Sequence, residues 1–475
     1  MSSSKDPRPV RSPLKTGGLG LLVVALAGGV GFLIVMKAGW PREMAFMAAI
    51  AVLAAGLWVT EVVPLYATAL LVLLLELVLL ANPGDWPGLG FSAGHSPSST
   101  SLIHAAADPI LLLFFGGLLM ARACVNEGVD RLFCRWLLLP FGRRPAPLLL
   151  GVLLMTAVLS MWMSNTATAA LAVTLVAPIA AGTAVDDPLR KGLYLAIPVG
   201  ANLGGLGTPI ASPPNAVAVR LLHQSGIEVG FGSWMLVALP VMLACLLVSW
   251  GLLLLWYRPK TAQVELLLPP QRLNWRGRVV LGTFFVTVAL WLTGSWHGVP
   301  ASTAALLPAV VLGGLGIVSR KDVDGIEWNV LILISGGIAL GAGMQLSGLD
   351  HKIVELLPPS NTTSGLLVLL SGSAALGALM SNTAAANLIL PVAVASAAAM
   401  AGEGNQSVLL TAFAVTFAVG TSMLLPGSTP PNAIAYASGA FTSRDLLKVG
   451  LAVSILTIAV SVLLGEWLVS LLRMT

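Results

Sequence analysis

Met163-Ser164-Asn165-Thr166-Ala167 returns 217 residues later as Met380-Ser381-Asn382-Thr383-Ala384. Each copy is followed by a second polar knot, Ala211-Ser212-Pro213-Pro214-Asn215-Ala216 and then Ser428-Thr429-Pro430-Pro431-Asn432-Ala433, again 217 residues apart. Upstream, Phe115-Gly116-Gly117 with Gly128 recurs as Ser335-Gly336-Gly337 with Gly348 at an offset of 220. Polar knots in apolar surroundings that keep one register mark the duplication of a single unit.

The 475 residues are 57% hydrophobic and 9% charged, with a mean hydropathy of +0.91. Such a chain cannot cover itself with a water-soluble surface, so it is read as an integral membrane protein. Its long Leu/Ala/Val blocks suit helices of roughly 17–25 residues, not the short alternating segments of a β-barrel. Eleven spanning helices are expected, at 18–38, 43–59, 64–82, 107–125, 190–222, 231–257, 277–296, 301–318, 329–347, 406–438 and 446–472. Two further stretches, 147–182 and 364–400, are about twice the length of one crossing. Each carries its Ser-Asn-Thr triplet near the middle, which suits a re-entrant hairpin.

Lysine and arginine orient this arrangement. If neither hairpin crosses, 20 of the 25 basic residues share the face of the N-terminus and 5 lie opposite. The N-terminus is therefore expected in the cytoplasm and the C-terminus outside, at the cell membrane. The first hairpin then opens inward and the second outward, giving two inverted repeats. The expected divisions are a cytoplasmic tail 1–17, a first repeat 18–257, a cytoplasmic linker 258–276 and a second repeat 277–475. The run Gly17 to Met36 is too long for a signal-peptide core and is expected to stay. Residues 83–106 read as a mobile outer loop, and 126–146 as an amphipathic helix in the cytoplasmic interface. A pI near 9.3 reports this topology and not nucleic-acid binding.

Hydroxyl and amide groups in the middle of an apolar hairpin need partners. At a tip, the amides of the returning half-helix favour an anion, and the carbonyls of the arriving one favour a cation. The Pro-Pro pairs and the glycines of 204–207 break the helices of the second knots and free more carbonyls. Two tips and two breaks together make a polar chamber near mid-membrane, without arginine or lysine. Glu61 reads as a structural acid bonding backbone at the helix break before Pro64. Asp186, Asp187, Asp322 and Asp324 read as solvated. Cys124, Cys134 and Cys245 read as packing residues, and the five histidines suggest neither a metal site nor a proton relay.

The paired Ser-Asn-Thr triplets, the two Pro-Pro-Asn knots and Trp58-Val59-Thr60-Glu61-Val62-Val63-Pro64 resemble the divalent anion:sodium symporter family of the ion transporter superfamily. The resemblance covers almost the whole chain and implies an elevator-type homodimer carrying succinate, malate or fumarate with sodium as the coupling ion and no other cofactor. It places the substrate among Ser164, Asn165, Thr166, Ser212, Ser381, Asn382, Thr383, Thr429 and Pro430. It places a first sodium among Ser160, Ser164, Asn165 and the carbonyl of Ala211. A second, weaker site falls among Gly377, Met380, Asn382 and the carbonyl of Ser428. Gly377, standing where the first repeat has Ser160, keeps sodium-independent exchange of di- or tricarboxylates open, and sulfate is a further candidate cargo. An intramembrane enzyme would need a nucleophile with its base or paired carboxylates, and none is evident. A channel would show a charged ring, and an ATP-driven pump a phosphate-binding Gly-rich loop; neither is found.

Overall fold

The computed structural model describes residues 28–29, 33, 36–37, 39–91, 96–184, 186–266, 270–355, 363–400 and 405–471. The tail 1–17 and nearly all of the first expected helix, 18–38, lie outside the described residues. Among those described, every regular element is helical, and seven helices are long and apolar enough to cross a membrane. Six shorter apolar helices accompany them, including three of the four arms of the two central stretches.

Both central stretches fold as two helices with a turn at the triplet. The first runs Pro145–Ser160 and Asn165–Ala181, the second Thr363–Leu379 and Asn382–Met400. The turn is set locally. Ser164 and Ser381 adopt the N-cap role, their hydroxyls accepting from the N–H of Ala167 at 3.3 Å and of Ala384 at 3.2 Å. Such a cap satisfies one of the donors left over at a helix start. The next helix in each repeat is broken, Pro188–Gly204 resuming as Pro213–Gln224 and Gln406–Gly420 resuming as Pro430–Tyr436. Proline opens both resumed helices, where its missing N–H costs nothing.

The unwound segments are held by the asparagine of each Pro-Pro-Asn. Asn215 Nδ2 donates to the carbonyls of Gly205 at 2.8 Å and Thr208 at 2.7 Å. Asn432 Nδ2 lies 3.1 Å from Met423 O, 2.9 Å from Leu425 O and 3.2 Å from Ser428 Oγ. Carbonyls freed by the breaks thus find donors from residues a few positions along the chain, as buried backbone groups must.

The repeats are interlaced. Pro430–Tyr436 packs on Asn165–Ala181, and Pro213–Gln224 on Asn382–Met400, so each resumed helix leans on the returning hairpin arm of the other repeat. One apolar core gathers both hairpins, both broken helices, Phe231–Trp256 and Ser443–Leu471, with Arg42–Thr60 and Leu65–Leu79 against it. A second core is built from Ile110–Asn126, Trp275–Leu292, residues 301–318 and the first half of Trp328–Ser347. The glycine tracts are points of closest approach. A Cβ on Gly116 would sit 1.9 Å from Ala305 O, and one on Gly336 2.3 Å from Ala69 Cβ.

Several expectations need correction. The loop 83–106 contains a helix, Ser99–Ala106, capped by Ser98, whose serines start a helix instead of merely interrupting one. The helix expected at 277–296 ends at Leu292, and that expected at 301–318 ends at Gly314. Glu61 is exposed and caps Arg42–Thr60 with its backbone, at φ 49°, its N–H reaching Leu57 O. An acid buried within an apolar helix is instead Glu76, in the Leu-rich helix Leu65–Leu79; neither carboxyl oxygen has a partner among the described residues. Asp187 is 2% exposed and not solvated. It caps Pro188–Gly204 through Leu189 N and accepts from Thr261 Oγ1 and the amides of Lys260 and Thr261, tying the linker down. Asp322 is half-buried and bonded to Ser319 and Asn126. The three cysteines are free and buried.

Candidate functional site

Because of the interlacing, both triplets and both Pro-Pro knots face one cavity of about 300 Å³. Its wall includes Ser164, Asn165 and Thr166 from the first tip, and Ser381, Asn382 and Thr383 from the second. Ala211, Ser212 and Pro213 come from the first break, with Ser428, Thr429 and Pro430 from the second. Ser160, Gly377 and Met380 are not on this wall; they lie buried behind the tips.

Among the described residues, the lining contains no lysine or arginine and one charged member, Glu327, which the sequence did not single out. Glu327 precedes Trp328–Ser347, and a smaller recess of about 130 Å³ joins it and Ser164 to Arg122 and Gly325. Arg122 lies 4.0 Å from Asp322. Asp322 sits below the usual carboxylate range because it accepts hydrogen bonds from Ser319, chiefly its hydroxyl. Neutral groups, helix ends and the carboxyl of Glu327 therefore define the electrostatics of the interior. Two helix starts, those of Asn165–Ala181 and Asn382–Met400, lie in the cavity wall, whereas Pro213–Gln224 opens there on two prolines that carry no N–H. Each of the first two contributes roughly half a positive charge.

Within this wall, some hydroxyls are occupied and others are open. Ser164, Ser381 and Thr429 cap helices, and Ser428 Oγ donates to Leu425 O at 2.8 Å. Ser212, by contrast, starts Pro213–Gln224 without a side-chain cap, and its Oγ is buried without a partner among the described residues. Asn202, another lining residue missed in the sequence, reaches from the first broken helix to Thr429 Oγ1 and Asn432 Oδ1 in the second, each at 3.3 Å. A lone asparagine inside an apolar helix was the signal that could have found it.

Behind the first tip, Ser160 Oγ stands 2.5 Å from Asn165 Oδ1 and 2.8 Å from Ala201 O. One hydroxyl proton serves two acceptors, leaving an electron-rich group of three oxygens. Behind the second tip, Asn382 Nδ2 donates to Gly420 O at 3.1 Å while its Oδ1 is buried without a partner. Hard cations take oxygen ligands of these kinds, so the donor chemistry fits a bound sodium in both places. Among the described residues no group of three His, Cys, Asp or Glu side chains could hold a metal.

The tip of the first hairpin also meets the second core. Trp162 stacks near Phe231 at 6.2 Å and Trp291 at 6.5 Å, and Phe231 stacks on Trp291 at 4.9 Å. These aromatic faces lie where the first hairpin tip packs on the second core.

Comparison with known proteins gives a consistent picture. Residues 55–418 match the citrate transporter family, CitMHS. The inorganic phosphate transporter PHO87 of Saccharomyces cerevisiae is 29% identical over 71% of this chain; the match spans 37% of that longer protein. An uncharacterized transporter of Haemophilus influenzae is 29% identical over 89% of this chain and 90% of its own length. The sodium-dependent dicarboxylate transporter SdcS of Staphylococcus aureus is 27% identical over 89% of this chain and 85% of its own. Among solved structures, the Alcanivorax borkumensis YdaH transporter, described as having an unusual topology, aligns with a TM-score of 0.50 at 16% identity. It covers 85% of this chain and 97% of its own, a likeness of fold alone.

Proposed function

Since the chain belongs to the citrate transporter family, within the divalent anion symporter group of the ion transporter superfamily, we propose that this multi-pass membrane protein imports C4-dicarboxylates such as succinate, malate and fumarate together with sodium. The observation that carries this is the cavity itself: four polar knots, two helix N-termini and, among the described residues, no cationic side chain around about 300 Å³. That volume lies at the small end of the roughly 300–1,000 Å³ typical of ligand pockets. Ser164, Asn165 and Thr166 would hold one carboxylate and Ser381, Asn382 and Thr383 the other, with Ser212, Thr429 and Pro430 beside them.

A dianion in such a site is met only by partial charges, so bound sodium supplies the missing positive charge. Ser160, Ser164, Asn165 and the carbonyls of Ala201 and Ala211 are its donors behind the first tip. Asn382 with the backbone at Met380 and Ser428 serves behind the second. Coupling follows, because the anion binds well only once the cations are in place. Two apolar cores that meet at the aromatic faces of Trp162, Phe231 and Trp291 support an elevator in which the site-bearing core slides along a dimeric frame. The basic-residue bias supports a cytoplasmic N-terminus at the cell membrane, and with it a recess at Arg122 that opens inward.

The yeast phosphate transporter favours a second reading, an inorganic oxyanion as cargo. Uptake of labelled succinate into proteoliposomes under an inward sodium or choline gradient separates the two, with malate, citrate, phosphate and sulfate as competitors. Sodium-stimulated uptake blocked by malate is the expected result. Competition by phosphate alone would replace the dicarboxylate, and counterflow undiminished without sodium would replace symport with exchange.

A further inference from the structure

The 217-residue offset that aligns the knots also aligns Ser160 with Gly377 and Gly205 with Ser422. In the first repeat the hydroxyl sits on the hairpin arm and the glycine in the break; in the second they have changed places. In the second repeat the packing explains why the pair has room for one side chain, whereas in the first the space beside the glycine is taken by Asn165. A Cβ on Gly377 would lie 2.9 Å from Ser422 Cβ and 3.3 Å from its Oγ. A Cβ on Gly205 would lie 2.9 Å from Asn165 Nδ2. The hydroxyls make the same bridge in opposite directions: Ser160 Oγ reaches the carbonyl of Ala201 on the broken helix, and Ser422 Oγ reaches the carbonyl of Ala374 on the hairpin arm.

From this exchange of seats we infer that Ser422 supplies the hydroxyl ligand of the second cation site, which its hairpin position has lost. Ser422 is fully buried. It follows Gly420, whose carbonyl orients Asn382, and Asn382 Oδ1 remains the unpartnered acceptor of this half. Ser422 Oγ, bonded to the Ala374 carbonyl, and Asn382 Oδ1 are the oxygens corresponding to Ser160 Oγ, the Ala201 carbonyl and Asn165 Oδ1, although among the described residues no hydrogen bond joins Ser422 to Asn382 as one joins Ser160 to Asn165. Gly377 is then no sign of a missing site. The inference rests on the sodium-coupled reading and deepens it.

The test is sodium binding itself, read on purified protein as uptake of radioactive sodium and as the melting temperature in sodium chloride against choline chloride. Ser422→Ala is expected to raise the half-saturating sodium concentration about tenfold, the effect of losing a bond to a charged group, and to abolish cooperativity between the ions. The melting temperature in choline should stay near wild type. Gly377→Ser alone should crowd Ser422 and bind sodium poorly, whereas Gly377→Ser with Ser422→Gly, which copies the first repeat, should restore the titration. An unchanged titration in Ser422→Ala, or a double variant no better than Gly377→Ser, overturns the assignment while leaving sodium coupling intact. A wild type whose melting and binding ignore sodium overturns both.

Discussion

In the first repeat the hairpin arm carries Ser160 and the break carries Gly205; in the second the arm carries Gly377 and the break Ser422. The backbones around them are otherwise matched, with capping serines at both tips, prolines opening both resumed helices and an asparagine clamping each break. The difference teaches that duplication preserved a bridge between hairpin and break, not the position from which its hydroxyl comes. In the second repeat the donor's move is an exchange, because Gly377 and Ser422 face one side-chain slot.

The comparison can be broken most severely at the glycine tracts, where the repeats touch the rest of the protein backbone to backbone. Gly116→Ala and Gly336→Ala should each cost about 1–3 kcal/mol or prevent accumulation of folded protein, since the new methyl meets rigid backbone. Gly117→Ala should cost less than about 1 kcal/mol, because its nearest neighbour is the movable Ile210 Cδ1 at 3.1 Å. Size-exclusion profiles after stepwise heating distinguish these variants. Equal tolerance of all three would mean that the two tracts are not close-packed contacts.

An effect of similar size, without loss of folded protein, is expected at the clamps. Asn215→Leu and Asn432→Leu leave break carbonyls without donors, at about 1–3 kcal/mol each. The second should be the larger, because Asn432 also accepts from Asn202. Melting curves that put Asn215→Leu well below Asn432→Leu would reverse the proposed cross-link between the repeats.

The smallest effect belongs to the linker. Burial pushes the Asp187 carboxyl up, but the Thr261 hydroxyl and the amides of Leu189, Lys260 and Thr261 outweigh it and hold the group below its ordinary value of 3.8. A carboxyl lowered by folding adds stability above its unfolded value and loses it as pH falls through the folded one. Asp187→Asn should therefore melt about 1–2 kcal/mol less stably at neutral pH and converge on wild type below 3.8. A gap that persists in acid would show that Asp187 acts through shape and not charge.

Much of the site was legible in advance because a triplet such as Ser164-Asn165-Thr166 is costly inside an apolar run and its repetition fixes a register. Asn202 and Glu76 were equally visible as lone polar residues in apolar helices but had no repeated partner to raise them above background. Glu327 was hidden for another reason: it sits at a helix start in a charged loop, where acids are ordinary. Asp187 was misread because a charge in a loop is usually solvated, and only the docked linker shows that its oxygens are fully used.

By itself, the order of residues determined that this protein is helical, membrane-embedded and duplicated, and that each half carries an uncharged polar tip and a proline-broken helix. Those properties follow from composition, local capping and backbone chemistry, all of which act over a few positions. The tertiary structure alone decided that the four knots enclose one cavity, that each resumed helix leans on the opposite hairpin, and that Ser422 occupies the seat Gly377 leaves open. These depend on how closely distant helices approach, to within the width of a single methyl group, and no pattern along the chain encodes that distance.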